Sequence, residues 1–381
     1  MPLRTLIKGF KKYELPQGTG RVDSDMFSDC KRLESITLPN TIKYVNARAF
    51  SGCKSLPTIE IPSAVKSLGD RVFQGCTSLA SISLPPSVKE VGCDAFSGCT
   101  SLSSVGLPSS LKVLETGTFS ACRSLASIEL PQTLTSIGRG AFSDCKSLSG
   151  ITIPPSVKTI EESAFNNCGS LSSITMPTSV ESIGGRAFQG CGSLTSITMS
   201  PNVKSIEPGT FHGCRALSSV RLPESAASVG DSAFRECVAL RSVDLPKSVA
   251  SVGGNAFRDC AALTSVSMPS VSEIGEKAFF GCKALNSVDF GSSLKSIGAA
   301  AFSGCSALTS VTLPSTVETI GDRAFTMCTA LESATIPKTA TVGKDAFPAK
   351  TKISYRGGSA PQEKRDQPSE KKGFNLFGFK I

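Results

Sequence analysis

The chain has 381 residues, 15 Cys, no Trp and a formal net charge of +9. The charge sits at the ends: residues 1–20 hold four Lys/Arg and one acid, residues 350–381 hold eight and three, and residues 21–349 hold 28 bases against 27 acids. A near-neutral body argues against a phosphate-tracking groove, which needs Lys and Arg clustered on the body itself, so no nucleic-acid partner is expected. No run approaches the roughly 18 apolar residues of a membrane span, and the first 30 residues hold no secretory-type apolar segment. The expectation is a cytoplasmic protein, with the cell surface reached by an unconventional route as the alternative.

In chain order, Leu3, Leu6, Ile7 and Phe10 fall at i, i+3, i+4 and i+7, with Arg4, Lys8, Lys11 and Lys12 between them. That spacing fits a basic amphipathic helix at a membrane surface, or a cap over the first unit of a stack. Phe10 already belongs to the pattern that follows, which favours a cap over residues 1–9.

From Phe10 to about residue 356 one unit recurs. Shifting the chain by 23 residues lays Phe on Phe and Cys on Cys from Phe27 and Cys30 to Phe257 and Cys260. A fixed period of this length means a solenoid, and the length of the chain then says nothing about domain number. The unit reads A-F-x-x-C-x-x-L-x-x-I/V-x-L-P-x-x-V-x-x-I-G-x-x. Ile36 and Leu38, or Ile82 and Leu84, alternate with polar neighbours, which predicts a short strand with one buried face. Pro39, Pro62 and Pro85 end such strands, because proline has no N–H for a ladder. Val65 and Leu68, then Val88 and Val91, predict a second short extended segment, closed by a bend at Gly69 or Gly92. Ala-Phe-x-x-Cys predicts one helical turn with Phe and Cys inward. The expected class is therefore α/β, a β-rich solenoid of 14 or 15 turns, with like side chains stacked on like.

Fourteen of the 15 cysteines stand three residues after the Phe of their repeat; no C-x-x-C occurs. Paired metal-ligand spacing is thus missing, no cofactor is expected, and each Cys is expected to be a small buried residue of its turn. So many unpaired thiols suit a reducing compartment. Cys93 lies off this ladder. The lone histidine, His212, occupies a variable position, and Cys214 beside it belongs to the ladder, so a Cys-His nucleophile is not expected. Neither a P-loop nor a strand-linked G-x-G-x-x-G appears. No enzyme activity is expected.

The repeated Ala-Phe, the Cys three residues on, and L-x-x-I-x-L-P resemble the BspA-like, Treponema pallidum-type leucine-rich repeat across residues 10–356. The resemblance implies a curved leucine-rich-repeat superhelix without catalytic residues, acting as an interaction protein or a surface adhesin.

One strand row points outward: Glu60, Glu129, Thr152, Thr175, Thr198, Arg221, Asp244, Asp289 and Thr312 are its candidate protein-binding residues. The row is rich in hydroxyls and lacks the aromatic and arginine anchors of tight interfaces. Lys112 and Glu115, Lys158 and Glu161, Lys204 and Glu207 recur every 46 residues, which reads as duplication of a repeat pair. Lys43, Lys66, Lys89 and Lys112 form a basic stripe on another face. Residues 357–373 are polar and charged and are expected to be disordered. Phe374, Phe377 and Phe379 then form an aromatic end suited to docking, to a weak membrane foot, or to folding back on the last turn. The reading is a monomeric, non-catalytic protein-interaction scaffold. Its rivals are a cell-surface adhesin and a peripheral membrane protein held by its tails.

Overall fold

A computed structural model describes residues 9–356. Two columns of parallel strands run along the chain, each strand paired in register with the equivalent strand one repeat away. The first column holds three-residue strands such as Ser81–Ser83, paired Ser81↔Ser104, Ile82↔Val105 and Ser83↔Gly106. The second holds two-residue strands such as Ser67–Leu68, paired with Glu90–Val91. In the first column the middle residue faces inward and its neighbours face solvent, as the period of two requires: Ile82 is buried between exposed Ser81 and Ser83. Between the columns lies one continuous core of Leu, Ile, Val, Phe and Cys.

The Phe ladder is unbroken from Phe27 to Phe347. Successive rings stack with centroids 5.0–5.6 Å apart and planes within 17°. Tyr13 meets Phe27 edge-on at 5.4 Å and so occupies the end of the column. Stacked copies of one aromatic fill a shared slot without change of rotamer, which is why the repeat keeps Phe here.

The helical turn expected at Ala-Phe-x-x-Cys is not formed, and no helix occurs among the described residues. The segment is instead a chain of tight turns closed by i to i+3 bonds, such as Ala49 N to Asn46 O at 3.2 Å and Cys53 N to Phe50 O at 3.1 Å. The N–H groups between them donate to the next repeat: Arg48 N to Asp70 O, Phe50 N to Val72 O and Gly52 N to Gln74 O, at 2.7–2.9 Å. A helix would keep those donors for itself. Two left-handed residues per turn make the exchange possible, one two places before Phe (Arg48, φ 54°) and one two places after it (Gly52, φ 73°).

The glycine after the second strand serves close approach, not a positive φ. A Cβ on Gly69 would lie 2.4 Å from the backbone nitrogen of Ala47 in the preceding turn. The missing residue near Met268-Pro269-Ser270-Val271 is absorbed between the columns, since Ser265↔Ser287 and Ser251↔Glu273 both pair with a step of 22. Its neighbour Gly291, where other repeats carry Pro, has φ 60°, and a Cβ there would lie 2.4 Å from the carbonyl oxygen of Pro269. The shortened turn crowds that position until glycine alone fits.

Candidate functional site

All nine candidate side chains of the first column are exposed. Backbone pairing sets Thr152 beside Thr175, Thr198 beside Arg221, Ser267 beside Asp289, and Thr312 beside Thr335. The Ser267 hydroxyl donates to Asp289 Oδ2 at 3.1 Å. Glu60 and Glu129 stand on turns whose first segment is not a regular strand, which accounts for two of the five breaks that divide the column into six short sheets among the described residues. Three shallow grooves lie along it. One of about 770 Å³ includes Glu60 and Ser83; one of about 440 Å³ includes Glu129, Thr152 and Thr175; one of about 560 Å³ includes Arg221, Asp244 and Lys247. Thr198, Asp289 and Thr312 line none of these three. Phe374, Phe377 and Phe379 lie outside the described residues, as do residues 1–8 of the expected cap.

Two clefts open along the second column. One, of about 630 Å³, is lined by Lys89, Cys93, Lys112 and Glu115; the other, of about 700 Å³, by Arg139, Glu181, Lys204 and Glu207. Each lies where strand pairing lapses. Among the described residues no pairing joins Glu90–Val91 to Val113–Leu114, and none joins Ser182–Ile183 to the turn that holds Ile206. At both places Glu fills the glycine site. A third Glu does not open the stack: the carboxylate of Glu161 accepts the Arg139 N–H of the preceding turn at 3.0 Å, and Glu161 N still bonds Ile137 O at 2.9 Å. At the first cleft the equivalent N–H, that of Cys93, is already held by Asp70 at 2.8 Å. At the second, Glu207 accepts the hydroxyl of Ser205 instead. On the Phe side both seams stay bonded, by Phe96 N to Thr118 O and Phe188 N to Thr210 O, each 2.9 Å. The recurring Lys and Glu pattern thus marks two one-sided seams, and Lys158 pairs with Glu181 of the intervening repeat at 2.9 Å.

The ladder cysteines do more than fill space. Each Sγ from Cys53 to Cys328 donates to the carbonyl oxygen of the Phe one turn earlier, at 3.1–3.3 Å. Burial pushes the thiols of Cys99, Cys145 and Cys214 up to about 12. Cys214 is therefore held as a thiol, and His212 beside it approaches Glu236 at 3.7 Å. Cys93 is half-buried in its cleft, and burial raises its pKa too, helped by the carboxylate of Asp70.

Sequence reasoning missed a second hydroxyl ladder. Ser87, Ser156, Ser179 and Ser248, two residues after Pro, donate to the carbonyl of the buried residue one turn earlier at 2.6–2.8 Å. The recurrent P-x-S/T-V or P-x-S/T-L in the repeat was the available signal.

The profile of the BspA type leucine rich repeat region, in six copies, matches residues 7–126, 115–241 and 227–354. The chain belongs to the BspA-type leucine-rich-repeat family. A leucine-rich-repeat protein from Bacteroides ovatus is 31% identical, covering 78% of this chain and 92% of its own, with a TM-score of 0.67. A leucine rich cell surface protein from Faecalibacterium prausnitzii is 28% identical, covering 92% of this chain and 88% of its own, with a TM-score of 0.54. No curated protein matches the chain. Leucine-rich-repeat proteins are in general non-catalytic scaffolds that bind protein partners, because stacked repeats present one long continuous surface. Among the described residues no helix is long and apolar enough to cross a membrane.

Proposed function

We propose that this BspA-type solenoid is a protein-interaction scaffold whose partner lies along the first strand column. The observation that carries the reading is the arrangement of Glu60, Glu129, Thr152, Thr175, Thr198, Arg221, Asp244, Asp289 and Thr312, every one exposed, along a single column with three grooves in it. A surface of hydroxyls interspersed with the single charges of Glu60, Glu129, Arg221, Asp244 and Asp289 suits a partner bound over many turns, each contributing little. The test is affinity capture with the intact chain and with Thr152→Arg/Thr175→Arg/Thr198→Arg. A protein retained by the intact chain and by a second-column variant, but lost with the triple variant, supports the face. Equal retention by the triple variant removes it.

A second reading is a cell-surface adhesin, favoured by the description of the Faecalibacterium prausnitzii relative as a cell surface protein. The ladder thiols, which form no disulfides among the described residues, support a reducing, cytoplasmic setting instead. Protease and membrane-impermeant labelling of intact producing cells separates the two, since an adhesin is cut and labelled and an internal scaffold is not.

A further inference from the structure

We propose that the lysine stripe of the second column, Lys43, Lys66, Lys89 and Lys112, binds a linear anionic polysaccharide. The four side chains are exposed on four consecutive turns. The first three backbones stack in register, Lys66 N donating to Lys43 O at 2.8 Å and Lys89 N to Lys66 O at 2.9 Å, and Lys112 follows across the seam where pairing lapses. Among the described residues none of the four ammonium groups has a carboxylate partner, whereas Lys158 at the same site of a later turn is paired with Glu181. Like charges directly opposite on neighbouring strands repel. The later turns relieve that cost by varying the site through Thr135, Glu181, Ala227, Ala250 and Glu318, and these four turns do not.

The geometry selects the class of anion. Lys43, Lys66 and Lys89 repeat at the strand spacing of about 4.8 Å, close to the advance per sugar of an extended 1→4-linked chain, so successive acidic groups meet successive lysines. Lys112 extends the row beyond the cleft that also holds Asp70 and Glu115. The row beside the stripe carries Tyr44, Ser67 and Glu90. Tyr44 is 45% exposed and offers a ring face to a pyranose, Ser67 a hydroxyl, and Glu90 is the one carboxylate in that row against four cations. A single-stranded nucleic acid would call for several stacking aromatics and arginine, which the stripe lacks. This face is separate from the first column, so the inference does not depend on the protein-binding reading.

The experiment titrates the full chain into a fluorescein-labelled heparin octasaccharide at low and at physiological salt, followed by anisotropy. Saturable binding that weakens with salt is expected. Lys66→Gln/Lys89→Gln should weaken it by about tenfold, the loss of two exposed ion pairs, and a Lys283→Gln/Lys295→Gln control should stay within about twofold. A charge-matched oligothymidylate should bind more weakly than the glycan. Wild-type affinity in the Lys66/Lys89 variant, an equal loss in the control, or equal or tighter binding of the oligothymidylate would each overturn the proposal.

Discussion

The thiol of Cys145 donates to the carbonyl oxygen of Phe119, one turn earlier, at 3.1 Å. That oxygen also accepts the N–H of Cys122 at 3.1 Å, so each sulfur ties its turn to the tight turn of the repeat before it. Cys145→Ala removes the bond and leaves a small void in a fully buried column, with the acceptor still satisfied. A loss of about 1–2 kcal/mol is expected, read from the midpoint of urea unfolding. A cost below about 0.5 kcal/mol would reduce the cysteine to a space-filler.

The same burial sets a pH limit. Cys99, Cys145 and Cys214 rise from an ordinary thiol value of 9.0 to about 12 in the folded chain. The folded state therefore holds protons that the unfolded chain releases. This stabilisation is fully present below about pH 9 and is lost as the pH climbs toward 12, at roughly 1.4 kcal/mol per unit for each thiol. Unfolding free energy should be level through neutral pH and fall steeply above pH 9. In Cys145→Ala the alkaline slope should be shallower by one proton, measured by urea titration at stepped pH.

The Phe and Cys ladders were legible because every turn repeats the same side chain at the same place. The local conformation between them was not. Phe and Cys at i and i+3 suit a helical turn and a pair of tight turns equally well. The deciding residues sit just before Cys, where Asp29, Gly52, Gly75, Asp144, Asn167 and Gly190 are types that tolerate a left-handed backbone, and all take φ of 58–73°. At the other left-handed site Arg48, Arg71, Arg186 and Arg323 hide the requirement, because the turn imposes it against residue preference. The outward row was legible from its period of two. What it binds was not, since Thr152, Thr175 and Thr198 present hydroxyls with no feature that names a partner.

Cys93 should be the one thiol of the native protein open to reagent. It is half-buried in a surface cleft, whereas the other 14 are fully buried and hydrogen-bonded or packed in the ladder. Thiol counting with a chromogenic disulfide should give one fast equivalent in the native state and 15 in denaturant, and Cys93→Ser should abolish the fast one. That equivalent should react faster than the ladder thiols but more slowly than a free cysteine near neutral pH, because burial and Asp70 hold its pKa up. Several fast equivalents would mean that the ladder opens to solvent.

The seam at Glu115 makes the sharpest conformational claim. Gly92, Gly138, Glu161, Gly184 and Gly230 each donate their N–H to the turn before, at 2.7–2.9 Å, and Glu115 does not. Glycine at this site permits a close backbone approach, since a Cβ on Gly92 would fall 2.5 Å from Asp70 N, and the smaller Asn46 is still accommodated with its N–H on Val22 O at 2.9 Å. Glu161 keeps its bond because its carboxylate reaches back to Arg139, a route that Asp70 closes to Glu115 by holding Cys93 N–H. Glu115→Gly should therefore let the two turns meet and restore the missing bond. In hydrogen exchange the amide of Glu115 should be fast in the native chain and that of Glu161 protected. In the variant, residue 115 should slow by at least tenfold, about 1.4 kcal/mol of added local stability. The Phe side of the same turn, bonded through Phe96 N to Thr118 O, should exchange as before, which confines the change to one edge of the solenoid. If residue 115 stays fast without its side chain, Glu is not the wedge, and the lapse belongs to the turn at Pro108-Ser109-Ser110.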